Sequence, residues 1–287
     1  MSAGAPGRLP IMRVDARGLT FEVRTGGPAD GEPVLLLHGF PQHSGEWDGV
    51  TPALHAAGLR TYALDQRGYS PGARPAAVEA YRVPELVADA AAVLDALGVD
   101  AAHVVGHDWG AIVAWGLAAA HPDRVRTLTA VSVPHPAAMA HALATDAEQK
   151  ARSSYIALFR KPGKAEKVLL AFRAAALRRL LGGVGDADRV AHYAEPMRAQ
   201  GALTAALNWY RAMSRRDLAA VGPVPVPTTF VWSDRDRAIG RTAAEACAGH
   251  VTGDYRRVTL AGVSHWIPDE APGPLAEAVL ARTATAR

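Results

Sequence analysis

Short apolar runs alternate with helical patterns along most of this chain, and that alternation does most to narrow the folds open to it. Runs at 19–23, 34–38, 60–65, 102–106, 126–133, 228–233 and 256–260 are rich in Val, Leu, Thr and aromatic residues. Several carry almost no polar alternation, the pattern of strands buried on both faces of a parallel sheet. Between them the spacing predicts helices. Pro84 stands where a first-turn proline is tolerated, and Leu86, Ala90, Val93, Leu94 and Leu97 recur at helical spacing before Gly98 ends the segment. Further helices are predicted over 110–121, 243–251 and 274–282. Strands separated by helices imply an α/β protein with a doubly wound, mostly parallel sheet.

One block breaks the alternation. From about Pro136 to Leu218 the sequence offers only helical stretches, and the strand pattern resumes after the Gly-Pro-Val-Pro-Val-Pro run at 222–227. This reads as a helical lid inserted between two strands, with 1–135 and 222–287 forming the core domain and 136–221 the cap. The cap's basic residues, among them Arg152, Arg160, Lys164, Arg173 and Arg179, read as a solvated face. With 287 residues, 49% hydrophobic and 21% charged, the chain is too apolar for a disordered polymer. A formal charge of +3 is too small to imply a nucleic-acid partner. The lone Cys247 cannot close an intrachain disulfide. The N-terminal stretch lacks the apolar run of a signal peptide, and the longest apolar run, 112–120, falls short of the ~20 residues that span a bilayer. The expectation is a cytoplasmic globular protein with no membrane partner, as a monomer or homodimer.

The strongest chemical signal is Gly106-His107-Asp108-Trp109-Gly110 at the end of a predicted strand and the start of a predicted helix. It has the form of a nucleophile elbow, Gly-x-nucleophile-x-Gly, with Asp where Ser is usual. The glycines have a steric cause: the central residue is held at strained positive φ on a sharp turn, where neighbouring side chains would collide. An aspartate there changes the reaction class. A carboxylate, ordinarily titrating near pH ~3.9, is already ionised at neutral pH and needs no base to attack. Against an acyl carbon it would give a labile anhydride; against an electrophilic sp³ carbon it gives an ester. Water must then hydrolyse that ester, which calls for a general base and an oxyanion hole.

Both can be placed. His265, in Gly262-Val263-Ser264-His265-Trp266 after the last predicted strand, holds the base position in the chain order nucleophile, acid, histidine. Ser233-Asp234-Arg235-Asp236 ends the preceding strand, and Asp236 is preferred over Asp234 as the carboxylate that orients His265. The oxyanion hole should combine the amide of Trp109 with that of Phe40, in His38-Gly39-Phe40-Pro41 after the 34–38 strand, where a cis bond before Pro41 would turn the chain sharply. His38, Pro41 and Trp209 are the expected substrate-contacting residues.

Together, His38–Pro41, the Asp65-Gln66-Arg67-Gly68-Tyr69 turn, the Asp108 elbow and the late His265 resemble the α/β-hydrolase superfamily and, within it, the epoxide hydrolases, over about residues 15 to 283. The resemblance implies that two lid tyrosines hold the epoxide oxygen. Tyr155, in Tyr155-Ile156-Ala157-Leu158-Phe159 followed by Pro162-Gly163, and Tyr210, in Asn208-Trp209-Tyr210-Arg211, match those motifs. It also implies a small epoxide as substrate and no metal or organic cofactor. Two other readings share Asp108, Asp236 and His265. A haloalkane or haloacid dehalogenase would use them to displace a halide, with the Trp109 indole as donor. A non-catalytic ligand-binding member of the fold would keep them without turnover.

Overall fold

The structure, a computed structural model, describes residues 9–286; residues 1–8 of the segment assigned to the core, and Arg287, lie outside the described residues. Its strands are β1 Ile11–Ala16, β2 Leu19–Gly26, β3 Glu32–Leu37, β4 Leu59–Asp65, β5 Ala102–His107, β6 Val125–Val131, β7 Thr228–Ser233 and β8 Tyr255–Leu260. They form one sheet in the order β1-β2-β4-β3-β5-β6-β7-β8. All pairings from β4 across to β8 are parallel, while β2 is antiparallel to both β1 and β4. The doubly wound, mostly parallel sheet expected from the sequence is therefore present.

Both faces of the sheet are covered, which accounts for the missing polar alternation. Leu35, Leu37 and Val104 point into one core with Leu86, Leu94 and Trp115 from the helices Val83–Ala96 and Trp109–Ala120. Val34, Leu36 and Val105 point into the other, with Trp47, Leu54, Leu275 and Val279. Each such side chain contributes about 1.5–3 kcal/mol by leaving water. The strand β1 has no counterpart in the sequence reading. Only its Val14 and Ala16 are buried, while Ile11 and Met12 are exposed and Arg13 and Asp15 are charged. An edge strand of that kind has too short an apolar face to announce itself. The predicted helix at 243–251 is instead Arg241–Ala246 followed by a tighter turn over Cys247–His250.

Between β6 and β7 the chain is helical throughout, in segments that include Pro136–Thr145, Lys164–Leu180, Ala187–Ala194 and Ala202–Ala212. The Lys164–Leu180 segment breaks at Ala171–Ala174, where Phe172, Arg173 and Ala174 have positive φ. These helices are tied to the sheet by polar contacts. The Trp209 indole N–H donates to the carbonyl of Arg67 at 2.9 Å, and Arg82 pairs with Asp217. Among the described residues no helix is long and apolar enough to cross a membrane.

The turn after β4 is structural. Arg67 donates to both oxygens of Asp89, from Nε and Nη2 at 2.6 Å each, and to the carbonyl of Ala80 from Nη1. Both partners are buried, so removing one strands the other without water, a loss of about 3–5 kcal/mol. Asp89→Ala should therefore lower the stability of the chain by about that amount in urea unfolding; a change under about 1 kcal/mol, the worth of an exposed pair, would contradict this anchoring.

Candidate active site

The position of Asp108 follows from close packing at the end of β5. Asp108 sits at φ 51° and ψ −116°, outside the regions that side chains favour. Its neighbours must be glycines for a measurable reason. A Cβ on Gly110 would lie 1.9 Å from the carbonyl oxygen of Leu37, and one on Gly106 would lie 2.2 Å from that of Gly110. The strand can thus turn into the helix Trp109–Ala120 while pressed against the end of β3, and the carboxylate stands at the carboxyl edge of the sheet.

Across that edge the His265 loop is held by the ends of three strands. Ser132 Oγ, just past β6, and His107 Nε2, the last residue of β5, both donate to the carbonyl of His265, at 2.8 and 3.0 Å. Ser233, which ends β7, donates to the carbonyl of Ser264 at 2.7 Å. The imidazole then lies between two carboxylates: Nδ1 is 2.7 Å from Asp236 Oδ2 and Nε2 is 3.3 Å from Asp108 Oδ2. Asp236 is itself fixed, its Oδ1 accepting the N–H groups of Ala238 and Ile239. Asp234 is exposed and accepts from Gly262 N–H, away from the imidazole. The amide of Phe40 donates to Asp108 Oδ1 at 2.8 Å, and the Phe40–Pro41 peptide is cis. Trp109 opens the helix, so its N–H is one of the first-turn donors without a partner within the helix.

Charge is concentrated here out of water. Burial disfavours the His265 cation, but the two carboxylates, Asp236 first, outweigh it and push the imidazole up to about 10. Burial likewise works against the Asp108 carboxylate, yet the hydrogen bond and charge of His265, the charge of His107 and the Phe40 N–H hold it below the usual carboxylate range. A cavity of about 690 Å³ opens over Asp108 and His265, and Phe40, Tyr155, Phe159 and Tyr210 line it. The rings of Tyr155 and Tyr210 meet edge to face with centroids 6.3 Å apart. Burial, then the charge of Asp108, pushes the Tyr155 hydroxyl up; burial, then the neighbouring Tyr155 and Asp108, does the same for Tyr210. Both hydroxyls therefore stay protonated.

The three expected substrate contacts are all buried. His38 is fully buried; its Nδ1 bonds to the carbonyl of Gly39, its Nε2 accepts the amide of Gln66, and burial pushes the ring down to about 4. Trp209 is fully buried with its N–H spent on Arg67, and Pro41 is buried in the loop after β3. None of the three lines the cavity; they support the residues that do. Among the described residues no group of three or more His, Cys, Asp or Glu is arranged to hold a metal ion.

With this geometry in view, the likeness to known proteins can be stated. Residues 32–272 match the alpha/beta hydrolase fold family. Epoxide hydrolase A of Mycobacterium tuberculosis is 33% identical over 93% of this chain and 95% of its own length. The chain belongs to the α/β-hydrolase superfamily, among the epoxide hydrolases. The AB hydrolase superfamily protein YfhM of Bacillus subtilis is also 33% identical, over 93% of this chain and 95% of its own. The crystal structure of Epoxide Hydrolase A from Mycobacterium thermoresistibile superposes with a TM-score of 0.83, at 29% identity, over 95% of this chain and 97% of that one.

This α/β-hydrolase also buries polar groups that the sequence motifs did not single out. Glu46 is fully buried and faces His107 Nδ1 at 3.2 Å, and burial pushes its carboxyl up to about 7. His107 thus joins Glu46 to the backbone of His265, directly behind Asp108. Asp269 accepts from Gln42, Arg189 and Tyr193, tying the loop after β3 to the helix Ala187–Ala194. His107 lies inside the elbow motif, whose pattern leaves its second position unspecified; Glu46 sits in a short polar turn that reads as surface.

The raised pKa of His265 has a consequence for stability. A group whose folded value lies above its unfolded 6.5 stabilises fully below about 6.5 and loses that contribution as pH rises through about 10. The unfolding free energy of the native chain minus that of His265→Gln should therefore fall between pH 6.5 and 10. Urea midpoints across that range measure it. A difference independent of pH would show that the imidazole is not held as a cation.

Proposed function

We propose that this chain hydrolyses an epoxide to a vicinal diol through a covalent ester of Asp108. The observation that carries the reading is the convergence on one cavity of an ionised carboxylate, a histidine 3.3 Å from it and two protonated tyrosines. The names borne by the M. tuberculosis and M. thermoresistibile relatives agree with it. The same reading takes 136–221 as a cap that supplies the tyrosines and the flanking segments as the core that supplies the triad.

The protons balance around a full cycle. Tyr155 and Tyr210 donate to the epoxide oxygen. Asp108 Oδ2 attacks a ring carbon, the C–O bond breaks, and the alkoxide takes a proton from one tyrosine. Alkylation removes the charge of Asp108, one of the two carboxylates that kept His265 protonated, so the imidazolium becomes a stronger acid and restores the tyrosine. Neutral His265, oriented by Asp236, then removes a proton from water as the hydroxide adds to the ester carbonyl. The developing oxyanion is at Oδ1, where the Phe40 N–H already donates and the Trp109 N–H is its companion. Collapse expels the diol, which takes the carboxyl proton and leaves Asp108 ionised beside a cationic His265. A halide would need only soft donors, whereas two tyrosines lining the cavity can supply the proton that an alkoxide requires, which favours the epoxide over the dehalogenase reading.

Replacing His265 by Gln should stop the cycle at the ester. Intact-protein mass spectrometry after mixing with a styrene oxide-type epoxide should show a gain of one epoxide mass on the peptide containing Asp108. Adding Tyr155→Phe and Tyr210→Phe should slow that gain by at least ~10²–10³, the usual loss for one donor to developing charge. An unmodified protein would refute the ester, and an unslowed gain would refute the tyrosines' role.

A further inference from the structure

The lining of the cavity is more cationic than the reaction requires. Besides the catalytic groups it holds four arginines, Arg152, Arg179, Arg235 and Arg237, against one further carboxylate, Glu270. Arg152 is committed, bonded to Glu148 and to the carbonyl of Asp236. Glu270 is turned to the hydroxyl and amide of Ser264. Among the described residues the guanidinium groups of Arg179, Arg235 and Arg237 make no hydrogen bond or ion pair. Several arginines elsewhere are paired with carboxylates: Arg67 with Asp89, Arg82 with Asp217, Arg189 with Asp269 and Arg282 with Asp254.

Their placement follows from the turn that builds the triad. In Arg235-Asp236-Arg237 the central side chain is buried against His265 and the two flanking ones are exposed. Arg179 reaches the same opening from the far end of the broken lid helix Lys164–Leu180. Core and lid thus present guanidinium groups to one opening, while aromatic rings line the cavity around Asp108. An exposed arginine by itself is ordinary surface. Three without partners around one cavity form an electrostatic funnel with vacant donors suited to a carboxylate, sulfate or phosphate.

We infer that the cavity takes an epoxide carrying an anionic group, with the anion received by Arg179, Arg235 and Arg237 at the mouth and the epoxide delivered to Asp108. The inference rests on the epoxide reading above and adds the substrate class. The preference is electrostatic and partly exposed to solvent, so it acts on capture more than on turnover and weakens with salt.

The test compares a medium-chain carboxylic acid ending in a terminal epoxide with the methyl ester of the same acid. The acid should show a kcat/KM at least about 10-fold higher at low ionic strength, the lower bound for electrostatic steering into a charged cleft. Most of the difference should lie in KM and disappear toward molar salt. In the Arg179→Gln, Arg235→Gln, Arg237→Gln variant the acid-to-ester ratio should fall toward one. Should that variant fold poorly, the salt dependence of the ratio in the native chain decides the matter. Equal kcat/KM for acid and ester at every salt concentration would overturn the anionic class while leaving epoxide hydrolysis standing. Hydrolysis of neither compound would overturn the epoxide reading and this inference with it.

Discussion

A carboxylate can stand at φ 51° at the tip of a strand only where the backbone around it closes without side chains. Gly110 lets the elbow helix press against the carbonyl of Leu37, and Gly106 lets the strand pass beneath that helix. The packing of β3, β5 and the helix Trp109–Ala120 therefore fixes where Asp108 points. It also fixes what meets it, because the loop after β3 delivers the Phe40 amide to Oδ1 from the same sheet edge. Strain of this sort, on the order of 1–3 kcal/mol, persists only when the surroundings over-determine it. The buried strands on either side do so.

Electrostatics builds on that frame. One imidazole serves two carboxylates, and the desolvation of each is offset by the others and by backbone N–H groups. An arrangement of this kind is costly to break at any one member. In the proposed reaction it would also be self-adjusting: esterifying Asp108 would remove one of the two charges that hold His265 cationic at the step where a neutral base is needed. The Glu46–His107 pair behind Asp108 extends the same network toward the loop after β3. Tyr193 and Arg189 of the helix Ala187–Ala194 bond to Asp269, which also holds Gln42 of that loop, so the segment between β6 and β7 shares polar contacts with the rest of the fold.

The parts of the molecule that are legible in the sequence are those governed by local rules. Seven of the strands announce themselves, six because they carry a buried face and β8, which has no buried residue, through Val258, Thr259 and Leu260 alone, and the elbow does so through its paired glycines. β1 is illegible because an edge strand with two inward residues carries almost no period. Asp236 can be preferred over Asp234 in the sequence, but only the structure shows why: two amides of its own turn hold one oxygen while His265 takes the other. His38 and Trp209 look like substrate contacts because they sit inside functional motifs. Their polar atoms are spent on Gly39, Gln66 and Arg67, a matter of long-range packing that spacing cannot carry. Glu46 is hidden for the opposite reason, a charged residue in a polar turn that the fold happens to bury.

The claim on which the rest depends is that oxygen passes from Asp108 into the product and is replaced from solvent. The direct measurement is to let the enzyme turn over an epoxide many times in heavy-oxygen water, digest it and weigh the peptide containing Asp108. The account predicts heavy oxygen in that carboxylate, and heavy oxygen in the diol when the labelled enzyme performs one further turnover in ordinary water. A peptide that stays light after many turnovers would mean that water attacks the epoxide directly, and the covalent account would be wrong.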